Sequence, residues 1–329
     1  MTETVESSDK LKGRFLSIDV FKGLTVVLMV IVNTLAIYEN IPGWSKHAGD
    51  FGLTYVDLIA PFFVFMLALN MNISYQKRKE NFGRKKAMLR YIRRFLIFIG
   101  IGFLLTIYVG PDGVYLRWGT FQVLGMSGLL LLPLIEVKPF LKLSGAVIIM
   151  AFHQLILFTP LSSIIYDSIE GGILGALSWG SMMILSSFLA EALTMGKEKI
   201  KRYFLFGGLI CVVLGLGFGY IWGISRAYIS LPYIIVSVGI ASLIYYLMYY
   251  FFEVWANNHE FVKKERFFSV VGKNAFMLYL IHIIIVYSIY EIIPLYISSV
   301  IIFSISFVNV AIIWFIAFLM NKFKVYIVV

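Results

Sequence analysis

The chain has 329 residues, of which 60% are hydrophobic and 14% charged, and its formal net charge is +10. A soluble domain carries about a quarter charged residues, so water is excluded as the main solvent of this chain. The basic residues gather in alternate breaks between apolar runs, a distribution that argues against nucleic acid as a partner and for a lipid bilayer.

In chain order, apolar runs of spanning length predict helices at 16–38, 54–75, 88–109, 117–135 and 143–160, then at 172–194, 203–223, 229–252, 267–291 and 295–320. The expected fold class is all-α: a polytopic integral membrane bundle of about ten, or eleven, transmembrane helices. It is read as one domain over 1–329, with a short cytoplasmic tail at 1–13. The run from Leu16 to Tyr38 is too long for a signal-peptide core and lacks a small-residue cleavage site, so it is expected to stay as the first helix.

Lysine and arginine set the orientation. Twenty-three of them fall in segments on the side of the N-terminus, and three, Lys46, Arg117 and Arg226, on the other. Both termini are therefore expected in the cytoplasm, with a bacterial cytoplasmic membrane as the location. Cys211 is the single cysteine, and His47, His153, His259 and His282 show no ligand spacing, so neither a disulfide within the chain nor a metal is expected.

Ionisable and amide groups inside apolar spans are costly, and each invites a functional reading beside a structural one. In RFLSIDVFKGLTVVLMVIVN, Ser17 is expected to cap the first helix, Asp19 and Lys22 lie within one turn, and Asn33 is the strongly polar side chain of the later turns. The external loop GWSKHAGDFGLTYVDL carries His47, Asp50 and Asp57 among glycines that let a backbone turn sharply. Further along stand Arg117 before GTFQVLG with Gln122, Glu170 before Gly171 and Gly172, Arg226 in SRAYISLPY, and Asn274, Tyr279 and His282 in GKNAFMLYLIH. Arg117 and Arg226 read either as snorkelling side chains or as binding groups on a face poor in basic residues. His153 has no evident partner and is assigned no role.

These stretches together resemble the heparan-α-glucosaminide N-acetyltransferase family. Its members carry R-x-x-S-x-D-x-F-R-G in a first helix ending in V-N, then H-A-x-W-x-G-L-T-x-x-D-L-x-F-P-x-F-x-F. Here the first motif has Lys22 at the second arginine, and Asp50 and Phe51 stand in the tryptophan-containing spacing after the histidine. The likeness continues in order through GTFQVLG, EGGILG, RAYISLPY and GKNAFMLYLIH, so it covers nearly the whole chain. It implies a membrane acetyltransferase that uses cytoplasmic acetyl-CoA to acetylate a sugar amine on the far side, and the expected reaction is transfer of the acetyl group to an amino or hydroxyl group of an extracytoplasmic saccharide or glycoconjugate. It also implies His47 as the catalytic histidine with Asn33 associated with it. The large luminal insertion of animal members is absent. The first helix is also similar to that of the acyltransferase-3 family, which places a histidine where Asn33 stands, leaving the chemistry here to His47.

On this reading His47 serves as general base, or accepts the acetyl group itself, with Asn33 orienting it or donating to the oxyanion. Asp57 is expected either to orient the imidazole or to begin the second helix. Asn33 lies 17 residues beyond Leu16, and the rise of ~1.5 Å per residue puts it about 25 Å along the helix. The thioester must therefore be carried most of the way across. A cytoplasmic entrance for the CoA phosphates is expected among Arg14, Lys22, Arg93, Arg94 and Lys273, and acceptor binding among Arg117, Gln122, Glu170, Arg226, Asn274 and His282. A homo-oligomer is compatible with the sequence. The competing class is a transporter or flippase that moves a sugar or lipid headgroup without acyl chemistry.

Overall fold

The structure is a computed structural model and describes residues 15–110 and 113–326. In order it contains α1 (Leu16–Leu35), α2 (Ile59–Phe82), α3 (Arg84–Leu105), a hairpin of β1 (Ile107–Gly110) and β2 (Gly113–Leu116), α4 (Thr120–Leu131), α5 (Pro139–Ile156), α6 (Ser162–Asp167) and α7 (Gly172–Ala190). Then come α8 (Lys197–Trp222), α9 (Leu231–Trp255), α10 (Glu260–Lys263), α11 (Phe268–Lys273), α12 (Ala275–Ile292) and α13 (Ser299–Lys322).

Every predicted span contains a helix, but among the described residues eight helices are long and apolar enough to cross a membrane. The two that fall short have separate reasons. α3 opens on the basic run RKKAMLRYIRR, and α4 with its 3₁₀ extension reaches only over Thr120–Leu134. The chain is an integral membrane protein whose helix count by these criteria is below the expected ten.

Three local features depart from the sequence expectation. Between α3 and α4 the run Ile-Tyr-Val-Gly pairs antiparallel with Gly-Val-Tyr-Leu, Tyr108 opposite Tyr115, because β-branched and aromatic residues favour a pleated ribbon. The predicted helix 267–291 is interrupted at Asn274, whose ψ of 27° at φ −120° separates α11 from α12. Ser17 does not cap α1. The cap position is Phe15, and Ser17 lies inside the helix, where its N–H donates to Glu253 Oε1 at 3.1 Å. A distant carboxylate thus meets the free amides and the positive end of the helix.

The described residues divide into two compact units. The first holds 49–53 and Ala60–Leu243. Its centre is α7, where Trp179, Met182, Met183 and Ile184 are all buried, packed against α4 and α5. α3 lies close on α4 because Gly128 has no side chain: a Cβ there would sit 2.1 Å from the Phe95 ring. Lys142 of α5, fully buried, meets Glu191 at 2.5 Å and also donates to the Ile135 carbonyl at 3.3 Å. Removing one partner of such a buried pair costs about 3–5 kcal/mol.

The second unit holds 15–48, Thr54–Ile59 and 244–326. Here α1 is central and packs on α11, α12 and α13. Its crossing with α11 is made by two glycines. A Cβ on Gly23 would fall 1.9 Å from the Phe268 carbonyl oxygen, and one on Gly272 1.9 Å from that of Asp19. Backbone meets backbone here, the close approach that small residues permit between membrane helices. Thr34 of α1 accepts a hydrogen bond from buried Asn309 of α13 at 2.9 Å.

Candidate active site

The loop after α1 turns through a 3₁₀ segment at Gly43–Ser45 and a second at Val56–Leu58, and this brings His47 and Asp57 together. His47 Nδ1 lies 2.7 Å from Asp57 Oδ1. Asp57 Oδ2 accepts from the amides of Ala48 (3.1 Å) and Thr54 (2.8 Å), and the Thr54 hydroxyl stands 3.0 Å from it. The carboxylate is wholly buried, whereas the imidazole is 49% exposed.

Two backbone N–H donors favour the ionised acid, and an ionised acid can only accept. His47 Nδ1 must then carry the proton in this hydrogen bond, which leaves the lone pair of the neutral ring on Nε2. Asp57 thus fixes both the tautomer and the ring plane. Thr54, which the sequence reading did not single out, has the Thr-x-x-Asp spacing of a local side-chain-to-backbone motif.

Asn33 has a partner that the sequence did not point to. Its Nδ2 stands 2.9 Å from Nε2 of His282, so the bond that the structure defines goes to His282 rather than to His47. His282 Nδ1 is directed at the Tyr279 carbonyl, which makes Nδ1 the protonated nitrogen and Nε2 the acceptor for Asn33. The Tyr290 hydroxyl donates to the Asn33 backbone carbonyl. Asn33 is therefore held by both its side chain and its main chain, and its partner His282 is fully buried.

Among the basic candidates, Arg14 lies outside the described residues. Lys22 stands 3.8 Å from Asp19, and Lys273 donates to Asn321 Oδ1 at 3.3 Å. Both lysines are next in sequence to the glycines of the Gly23 and Gly272 crossing, in the second unit. Arg93 and Arg94 belong to α3 in the first unit. Arg93 is exposed, and Arg94 lies over Phe98 at 5.5 Å and Tyr91 at 6.0 Å.

The acceptor candidates belong to both units. Gln122 is buried and donates to the Arg117 carbonyl (3.2 Å) and to the Thr106 hydroxyl (3.1 Å), closing the base of the hairpin. The Arg117 guanidinium covers the Tyr108 ring at 4.1 Å. Glu170 and Arg226 pair at 2.7 Å. Asn274 is buried and donates to the Val325 carbonyl at 3.1 Å, at the break between α11 and α12. Among the described residues no group of three or more His, Cys, Asp or Glu is placed to hold a metal ion.

The profile of one family, described as heparan-alpha-glucosaminide N-acetyltransferase, catalytic, matches residues 14–284. The chain belongs to that family. The match takes in α1, the His47 loop, Asn33 and His282. A human relative, heparan-alpha-glucosaminide N-acetyltransferase, is 40% identical over 65 residues, which is 20% of this chain and 9% of that protein. The aligned stretch thus spans only a small part of the human relative's length.

Proposed function

We propose that the protein is a transmembrane acetyltransferase that moves an acetyl group from acetyl-CoA to an amine of an extracytoplasmic saccharide. The observation that carries this reading is the His47–Asp57 pair, 2.7 Å apart, with the acid buried and the base exposed. Membership of the family supports the acetyl chemistry, and the human relative is named for an N-acetyltransferase acting on heparan α-glucosaminide.

In the proposed reaction the acceptor amine attacks the thioester carbonyl, forming the C–N bond. The carbonyl electrons move onto oxygen and return as the C–S bond breaks. His47 Nε2 removes the proton from the nitrogen, and the CoA thiolate leaves and is protonated in turn. Asp57, ionised throughout, stabilises the imidazolium that forms. Asn33, with one amide hydrogen on His282, keeps a second N–H for the developing oxyanion. Lys22 and Lys273 are proposed to meet CoA phosphates. Phosphate recognition by lysine is a point-charge interaction that needs no bidentate geometry.

The test is purified protein with labelled acetyl-CoA and glucosamine. Labelled N-acetylglucosamine from the wild type and none from His47→Ala supports the proposal. Glucosamine movement into protein-loaded vesicles with no acetyl transfer supports a transporter instead.

A further inference from the structure

Two segments of the first unit are joined twice. One is α6 with the turn that follows it, and the other is the loop between α8 and α9. Glu170 and Arg226 form the first link at 2.7 Å. The second is aromatic: the rings of Tyr166 and Tyr228 lie 5.0 Å apart. Phe51 stacks on Tyr228 at 6.3 Å with planes 26° apart, and the Tyr166 hydroxyl donates to Asp50 Oδ1 at 2.8 Å.

The arrangement is held by contacts within the fold. Gly52 donates to the Ile224 carbonyl at 2.8 Å, and the Tyr228 amide to the Ser225 hydroxyl at 3.2 Å. Gly223 has φ +74°, and a Cβ there would come 2.4 Å from the Phe51 ring, so only glycine lets Phe51 take its seat. Phe51 is 62% exposed and Tyr166 44%.

We propose that Phe51, Tyr166, Tyr228 and Asp50 form a recognition surface for an amino sugar. The rings pack on the C–H face of a pyranose, and the free oxygen of Asp50 accepts from a hydroxyl or ammonium group. This deepens the reading under Proposed function and rests on its saccharide acceptor.

Aromatic faces supply contact area at little entropic expense, and a carboxylate supplies the strong directional bond. An aromatic belt at the lipid interface is the competing use of exposed tyrosines. It gives no reason for a carboxylate fixed by one of the phenols. It also gives no account of the second carboxylate oxygen of Glu170. That side chain is only 8% exposed, and among the described residues its Oε2 has no hydrogen-bond partner. A buried acceptor of this kind is one that a ligand hydroxyl or amine would satisfy.

Glucosamine is the probe, titrated calorimetrically into the full-length protein without acetyl-CoA and then used as acceptor in steady-state assays. Tyr228→Ala and Asp50→Asn are expected to weaken glucosamine binding and raise its KM by about tenfold or more, with the KM for acetyl-CoA unchanged. Tyr166→Phe, which keeps the ring and loses the bond to Asp50, is expected to fall between these variants and the wild type. Thermal midpoints of all three establish folding. Unchanged glucosamine binding in folded Tyr228→Ala and Asp50→Asn overturns the proposal, as does wild type that does not bind the sugar. The two readouts also separate the readings. Binding lost in the variants without acetyl transfer by any of them upholds the surface and removes the acetyltransferase. Acetyl transfer with glucosamine binding indifferent to the variants does the reverse.

Discussion

His47 and Asp57 share one hydrogen bond of 2.7 Å, yet one ring is half exposed and the other side chain has no contact with water. On the proposed reading, a base that would meet the acceptor is thereby oriented by an acid shielded from it. His47→Ala is expected to lower turnover by about 10²- to 10⁴-fold, the usual contribution of a positioned general base. The KM for acetyl-CoA should stay near that of the wild type. Asp57→Asn should lose a similar factor, because an amide can present its N–H₂ to Nδ1 and so favour the wrong tautomer. It should also lower the thermal midpoint, since Asp57 serves the Ala48 and Thr54 amides as well. Steady-state kinetics with scanning calorimetry checks both, and wild-type turnover in folded His47→Ala would remove the histidine from the chemistry.

The Asn33–His282 bond gives a graded expectation. His282→Gln keeps a side-chain acceptor for Asn33, whereas His282→Leu leaves its amide unmatched in an apolar setting, at a cost of about 1–3 kcal/mol. Turnover should therefore fall in the order wild type, His282→Gln, His282→Leu, with Asn33→Leu lowest. Equal activity in the glutamine and leucine variants would separate His282 from the site.

Orientation can be read with an impermeant thiol reagent in intact cells carrying Cys211→Ala. Gly43→Cys, at a position where a Cβ meets nothing, should be labelled from outside. Asn81→Cys, exposed at the end of α2, should be labelled only after the membrane is opened. The reverse pattern would invert the orientation and with it the side of the acceptor.

Glu136 yields a pH expectation in the first unit. Partial burial works against its ionisation, but hydrogen bonds from Lys79 at 3.0 Å and Tyr75 at 2.9 Å, with the nearby Arg84 charge, hold its carboxyl below the usual range. A depressed folded-state value means that the stabilisation is present above the unfolded value, about 4.3, and is lost as pH falls through the folded one. Glu136→Gln should lower the thermal midpoint at pH 7, and the gap to wild type should close on acidification below pH 4. A gap that persists at low pH would assign the effect to packing instead.

Much of the fold was legible because apolar runs of spanning length need no partner to be recognised, and each predicted span contains a helix. What escaped depended on distant residues. Ser17 looks like a cap from its neighbours, but the group that meets the start of α1 is Glu253, 236 positions away. His47 and Asp57 lie ten apart in one loop, so their pairing was within reach of local reading. Asn33 and His282 are 249 apart. Each stood out as a polar group in an apolar span, while nothing in their spacing announced the bond. Glu170 and Arg226 were likewise visible singly but not as a pair, since no rule of periodicity links positions 56 apart. The hairpin at 107–116 was hidden because its valines and tyrosines are as apolar as the ends of the spans beside it.

The glycine crossing of α1 and α11 bears on how this protein could be surveyed by random mutagenesis. Any side chain at Gly23 or Gly272 collides with a main-chain carbonyl that cannot rotate away, so nearly every substitution there should be rejected. A screen scored on product alone would rank these two positions with His47, and an unwary reader would draw them into the reaction. Counting protein in the membrane alongside product separates the two classes. Substitutions at the glycines should deplete the protein itself, whereas those at His47 should leave a full complement of silent enzyme.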